Sequence, residues 1–200
     1  MFHRILMPLM ASLLLTACSG MRIVDTDVSN FPGPAAQTIP QAATYRFERL
    51  PSQQAQAQQS AALEALAQTA LERAGLRRDD ANAQYSVQLG LRMFRDPQAP
   101  WDDPRYLQGI AVPAYVNMQY GMLMRHPSLS LQFDFPYYRR EVTIVVRRLT
   151  DAQVVFETRA QHDGRWSDDA AVLPAMFQAA LQGFPNPVAG TRRVVVEIPR

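Results

Sequence analysis

The sequence contains no lysine, because all 20 residues of the Lys and Arg total are arginines. This absence excludes chemistry that needs a lysine, such as a P-loop phosphate site or a Schiff base. Cysteine is almost as scarce, since Cys18 is the only one in 200 residues. A single cysteine excludes an intrachain disulfide and a multi-cysteine metal site. The formal net charge of +2 is too balanced to indicate a nucleic-acid partner.

The N-terminal segment has the pattern of a secretory signal peptide. A short positive start ending at Arg4 is followed by the mostly apolar run 5–15 and by small residues before Cys18. The apolar run is too short to span a bilayer as a helix, which takes about 20 residues. We therefore predict that residues 1–17 are a cleaved signal peptide.

The residues around the cleavage point, Leu15-Thr16-Ala17-Cys18, resemble the lipobox of bacterial lipoproteins. The resemblance implies a covalent diacylglyceryl lipid with palmitate-type chains on Cys18, and we expect no other cofactor. Two or more acyl chains anchor a protein stably, at about 0.8 kcal/mol per buried methylene. Ser19 is a residue other than Asp, which by the same resemblance implies sorting to the outer membrane of a Gram-negative cell. Residues 18–21 would then be a lipidated tether, and residues 22–200 a single periplasmic domain.

Hydrophobic periodicity predicts an α+β fold for the mature chain. Alternation of apolar and polar residues predicts strands over 23–31, 44–50, 85–93, 129–135, 141–149, 153–161 and 192–198. Helical spacing predicts one helix over 63–74, ended by Gly75, and a second over 170–182. Since Pro174 fits a helix only in its first turn, the second helix is expected to begin near Leu173. Grouped strands with two helices predict a mostly antiparallel sheet with both helices on one face, a two-layer sandwich.

The mature chain also resembles the family of bacterial lipoproteins that share domain of unknown function 4136. The features that carry this resemblance are the lipobox, the strands at 24–31, 44–49 and 83–87, Ala74-Gly75-Leu76, the hairpin at 140–156 and Phe184-Pro185. The family has no established activity. The resemblance therefore implies fold and location, and it assigns no catalytic residue.

Residues 96–127 form a long stretch with five prolines and no clear regular element. Loops of this length in a compact domain are usually functional or disordered, and this one is rich in aromatic and branched residues. Tyr and Trp are common anchors of interfaces, so we predict partner contacts by Trp101, Tyr106 and Tyr115. A loop that folds back as a lid over the sheet is the equally open alternative.

Arginine doublets occur at 139–140, 147–148 and 192–193, on or beside predicted strands. Neighbouring residues of a strand point to opposite faces, so each doublet places one arginine on the open face of the sheet. If those strands adjoin, an arginine row would suit carboxylate or phosphate groups, and Arg140, Arg147 and Arg192 become candidate partner contacts. The alternative is that the doublets serve solubility and edge protection.

Few residues of the mature chain suit catalysis or metal binding. His126 and His162 are its only histidines, and no Gly-x-Ser-x-Gly motif occurs, so we expect no enzyme. Met118, Met122, Met124 and His126 are weak candidates for Cu(I), but the even spacing of the methionines equally fits one face of a strand. We therefore predict no metal site.

These observations favour a lipid-anchored, non-enzymatic interaction module in outer-membrane assembly or maintenance. Its expected partners are the outer-membrane bilayer, through the lipid, and an envelope protein or peptidoglycan, but no nucleic acid. The alternative is a periplasmic carrier of a small apolar ligand or lipid, held between the sheet and the long loop. A hydrolytic enzyme acting on the envelope comes third.

The lipobox interpretation is tested by the variant Cys18→Ser. Because the thiol is the acceptor of the lipid, we expect the variant to lose both the lipid mass on its N-terminus and its sedimentation with membranes. Mass spectrometry and membrane fractionation measure the two effects. A variant that still sediments, with a wild-type N-terminus free of lipid, would contradict the interpretation.

Overall fold

A computed structural model describes residues 20–33, 39–96, 137–188 and 190–199. Within these ranges the chain forms seven strands and three helices. The strands are β1 (Met21–Pro32), β2 (Ala43–Phe47), β3 (Leu76–Arg78), β4 (Tyr85–Asp96), β5 (Tyr137–Arg148), β6 (Val154–Gly164) and β7 (Gly190–Pro199). The helices are α1 (Pro51–Ala55), α2 (Ala57–Arg73) and α3 (Asp169–Ala180).

All seven strands belong to one sheet with the order β3-β2-β4-β5-β6-β1-β7. The β1–β6, β1–β7, β4–β5 and β5–β6 pairs are antiparallel, whereas β2 runs parallel to both β3 and β4. The predicted α+β class is confirmed, and four of the six strand pairs are antiparallel, but the two parallel pairs of β2 make the sheet mixed. The reason is that β2 leads through α1 and α2 to β3, and such a crossover returns the chain in parallel.

The prediction of two helices is also wrong, because the described part of the chain holds three. The additional helix is α1, a five-residue turn that begins with Pro51 and separates β2 from α2. Proline is favoured at the first helical position, where its missing N–H has no partner to lose. A single turn is too short to show helical periodicity, which explains why the sequence pattern does not reveal it.

Strand alternation divides the sheet into two unlike faces. In β1, Val24 and Val28 are completely buried, while the odd-numbered Ile23, Asp25 and Asp27 point to the other side. The buried face packs against α2 and α3 in one continuous hydrophobic cluster. The opposite side, which no helix of the described ranges covers, is called the open face below.

The predicted ends of the helices are partly confirmed. Gly75 follows α2 with φ +90°, which glycine adopts without strain, and its N–H donates to the Glu72 carbonyl at 3.0 Å. Asp168 caps α3 by accepting from the Ala171 N–H at 3.3 Å. The expected start near Leu173 is wrong, because α3 begins at Asp169 and Pro174 lies inside it. The cap and the burial of the helix outweigh the one hydrogen bond that Pro174 cannot donate.

The predicted hairpin is confirmed, with β5 and β6 joined by the turn at 149–153. The strand predicted over 129–135 lies outside the described residues, as does the long loop beyond Asp96. Among the helices of the described ranges, none is both long enough and apolar enough to cross a membrane.

Leu71 offers a test of the core, because it is completely buried between α2 and the sheet. Leu71→Ala leaves a cavity that the packed surroundings fill only in part, so we expect a loss of about 2–5 kcal/mol in the free energy of unfolding. Denaturant titration measures this loss. The exposed Thr69 on the same helix is the control, and an equal loss for Thr69→Ala would contradict the placement.

Candidate contact surface on the open face

A row of polar side chains crosses five strands of the open face. The strand registers place its members directly opposite one another in the order Arg193, Asp27, Gln161, Glu141 and Arg92. We call these five residues the charged row. Its charges change sign along the row, with a cation at each end and a carboxylate next to each cation. Such a pattern presents fixed charges of both signs to whatever faces the sheet.

Two contacts hold the charged row in place. The Arg193 Nε donates to the Asp27 Oδ1 at 3.0 Å, and the Gln161 Nε2 donates to the Glu141 Oε2 at 2.9 Å. The hydrogen bond from Arg193 lowers the pKa of the Asp27 carboxyl below its ordinary value, which favours the charged form. Arg92 lies opposite Glu141.

A shallow depression of about 380 Å³ adjoins the charged row. Arg139 and Asp163 lie opposite each other in its wall, with Phe94 next to Arg139 on the neighbouring strand. The buried Tyr137 donates a hydrogen bond from its hydroxyl to the Asp163 carboxylate. Burial first, and this hydrogen bond second, raise the pKa of Tyr137 well above its ordinary value. The depression therefore combines an aromatic ring with both signs of charge.

Beneath this surface, Arg140 points to the helix side and is almost completely buried. Its side chain is 1% exposed and lies 2.7 Å from the Asp169 carboxylate in the first turn of α3. The Arg140 Nη2 also donates to the Trp166 carbonyl at 2.6 Å. A guanidinium buried away from water is destabilising unless an anion lies beside it, and the Asp169 carboxylate is that anion. This placement argues against the predicted contact role of Arg140, because the side chain is engaged inside the protein.

A second arginine, Arg22 at the start of β1, also pairs with a carboxylate at the start of α3. The Arg22 Nη2 donates to the Asp168 Oδ2 at 3.1 Å, and its guanidinium lies 5.0 Å from the centre of the Trp166 ring. Two sheet arginines thus hold two adjacent carboxylates at the start of α3. Acidic side chains are favourable at a helix N-terminus, so the pairs stabilise the helix as well.

His162 belongs to the same buried layer and is 4% exposed. Its Nδ1 lies 2.6 Å from the Asp25 backbone carbonyl, and its Nε2 is buried without a hydrogen-bond partner in the described part of the chain. With neither ring nitrogen accessible to a substrate, His162 holds a structural position here. General acid or base catalysis would require the ring to reach the reacting group.

The other two predicted arginine contacts lie far apart. Arg147 is on the open face near one end of β5, 3.8 Å from Glu48, whereas Arg192 donates to the Gln182 carbonyl beyond the end of α3. The expected row of arginines does not form, because β6 and β1 lie between β5 and β7. Carboxylates and amides from those two strands fill the positions between the arginines. The surface is therefore of mixed charge rather than basic.

The remaining predicted site residues lie outside the described ranges. They are Cys18, Trp101, Tyr106, Tyr115, Met118, Met122, Met124 and His126. Their predicted roles stay predictions.

Sequence reasoning did not single out Asp27, Gln161 or Glu141 as members of one surface. Alternation around Val24 and Val28 does place Asp27 on the polar side of β1. The sequence offers no signal for its neighbours across the sheet, because the strand order and register determine them.

The fold and the mixed sheet place the chain among α+β proteins. More particularly, the chain belongs to the family described as Domain of unknown function (DUF4136), whose model matches residues 33–186. This match confirms the family resemblance drawn from the sequence. A search of curated proteins finds no significant match.

Solved structures show a likeness of fold. A PDZ domain protein from Parabacteroides distasonis matches with a TM-score of 0.50 at 8% identity, covering 94% of this chain and 41% of that chain. A PelC dodecamer from Paraburkholderia phytofirmans matches with a TM-score of 0.45 at 12% identity, covering 82% of this chain and 99% of that one. At such low identity the first likeness concerns the fold alone, and no inference about this chain rests on the second.

The buried ion pair of Arg140 is tested by Asp169→Asn. Removing the carboxylate leaves the guanidinium buried without an anion, so we expect a loss of about 3 kcal/mol in the free energy of unfolding. The matched control is Asp27→Asn, whose pair with Arg193 is solvent-exposed and is expected to contribute far less. Thermal and denaturant unfolding of both variants measure the difference, and equal losses would contradict the assigned roles.

Proposed function

We propose that the protein is a lipid-anchored envelope protein that acts as a non-enzymatic interaction module. In this proposal Cys18 carries the lipid, the domain lies in the periplasm at the outer membrane, and the open face binds an envelope partner. The function would serve outer-membrane assembly or maintenance.

The observation that carries the proposal is the open face itself. Five strands present the charged row there, and the depression with Phe94, Arg139 and Asp163 lies beside it. Fixed charges of both signs give specificity and orientation when they meet a complementary pattern of charges on a protein surface. A folded protein partner therefore suits this face better than a single small anion.

Packing of the core supports a module rather than a carrier that encloses its ligand within the fold. The space between the sheet and the helices is filled by large buried side chains, including Tyr45, Phe156 and Phe177. These side chains belong to one continuous cluster with the residues of α2 and α3. A ligand between the layers would have to displace them.

One observation favours the alternative function as a carrier of a small apolar ligand. A depression of about 760 Å³ lies between the end of α2 and the segment after α3, with Ile39 and Phe184 in its wall. Its volume is within the range of small-molecule sites. Arg73 and Arg77 also line it and would suit an anionic group on such a ligand. Organic extraction of the purified protein followed by mass spectrometry tests for a bound lipid.

The interaction module is tested by photo-crosslinking in living cells. A photoreactive residue at Thr143, on the open face beside the charged row, is expected to give a stoichiometric adduct with one envelope protein. The same residue at the exposed Thr69 of α2 is the control and should give no adduct. Adducts of equal yield from both positions, or from neither, would contradict the proposal.

A charge swap sharpens this experiment. The double variant Asp27→Arg with Arg193→Asp keeps the ion pair and the fold but reverses the charges that the row presents. We expect unchanged unfolding and an adduct yield at Thr143 reduced about tenfold, since like charges would meet at the interface. Parallel substitutions Trp101→Ala and Tyr115→Ala test whether the predicted loop contacts serve the same partner.

A further inference from the structure

Exposed apolar side chains are distributed unevenly over the domain. Ten large hydrophobic residues are exposed in the described ranges, and four of them lie at the start of β1, on the neighbouring β7 or just after β6 ends. These four residues are Met21, Ile23, Trp166 and Val195. We call them the tether-end patch, because β1 is the first strand after the predicted tether.

The strand registers place three of the four members beside one another. Val195 lies opposite Asp25, two residues along β1 from Ile23, and Met21 lies a further two residues along the same strand. Ile23 is 59% and Val195 is 55% exposed. Apolar side chains that cluster in this way, rather than scatter singly, indicate a contact with an apolar medium or partner.

The position of Cys18 in the chain argues for the medium. Met21 follows Cys18 by three residues, and a fully extended chain covers at most about 3.6 Å per residue. If the cysteine carries acyl chains, the start of β1 can therefore lie no more than about 11 Å from the lipid attachment point. The tether is too short to hold this end of the domain away from the headgroups.

Trp166 gives the patch an amphipathic element suited to that location. The residue is 40% exposed, and the Arg22 guanidinium lies 5.0 Å from the centre of its ring. Tryptophan is enriched at membrane interfaces, where its apolar ring and its polar N–H both find a partner. The pairs of Arg22 with Asp168 and of Arg140 with Asp169 neutralise the buried charges behind the patch.

We infer that the tether-end patch rests on the phospholipid bilayer and orients the domain on it. This inference builds on the proposed lipidation of Cys18 and adds a second, non-covalent contact with the same membrane. The long axis of β1 then points away from the bilayer, and the open face stands beside the membrane, accessible to a partner in the periplasm.

The experiment uses the full lipidated chain in vesicles of phosphatidylethanolamine and phosphatidylglycerol. An environment-sensitive fluorophore is attached through Ile23→Cys or, as the matched control, through Phe31→Cys. Both positions are exposed, on the same face of β1, and about 26 Å apart at 3.3 Å per residue. A lipidated Cys18 has no free thiol, so the introduced cysteine alone is labelled. Lipids with a nitroxide in the upper acyl chain serve as quenchers.

We expect the quenched fraction at position 23 to be at least about three times that at position 31, since only the former reaches the acyl boundary. Equal quenching at both positions, with lipid found on Cys18 by mass spectrometry, overturns the inference and leaves the anchor intact. Absence of lipid on Cys18 overturns the proposed anchor, and the inference with it.

A second readout needs no introduced cysteine. In the variant Trp101→Phe, Trp166 is the only tryptophan, and its native fluorescence reports on the same end of the domain. Quenching of Trp166 by the nitroxide lipids supports the inference. Emission unchanged by those lipids contradicts it, even if the label at position 23 disturbs its own surroundings.

Discussion

The burial of two arginines at one end of the sheet is the constraint on which the rest of the structure depends. Arg140 is 1% exposed and Arg22 is 9% exposed, and guanidinium groups this dry require nearby carboxylates. Asp168 and Asp169 supply them from the start of α3. The helix must therefore begin above this end of the sheet, and its apolar face then covers the buried side of the sheet.

The helices cover one side of the sheet, and no helix of the described ranges covers the other. In β1 the two sides share one strand. Its even-numbered residues, among them Val24 and Val28, enter the core, whereas Asp27 joins the charged row and Ile23 the tether-end patch. Because the side-chain period of a strand is two residues, one segment serves packing and surface recognition at once. The predicted tether leads into this same strand. In the proposed arrangement, the membrane anchor therefore determines how the open face is oriented.

Much of the fold follows from local pattern. Alternation predicted the β5–β6 hairpin and the faces of the arginine doublets, and helical spacing with Gly75 predicted the end of α2. The mixed sheet, the short α1 and the position of Pro174 were not predicted, because each depends on tertiary packing that outweighs local preference. The predicted row of arginines does not form for a related reason. The residues of one strand do not determine which strands lie beside it.

The sequence by itself determined the α+β class, the family, the faces of the strands and the single cysteine that a lipid would use. These properties depend on composition, on short motifs and on periodicity within one segment. Only the tertiary structure decided that Arg193, Asp27, Gln161, Glu141 and Arg92 form one row, and that Arg140 lies inside the protein. Strand order and register bring together residues more than a hundred positions apart, and a local pattern does not encode such long-range pairing.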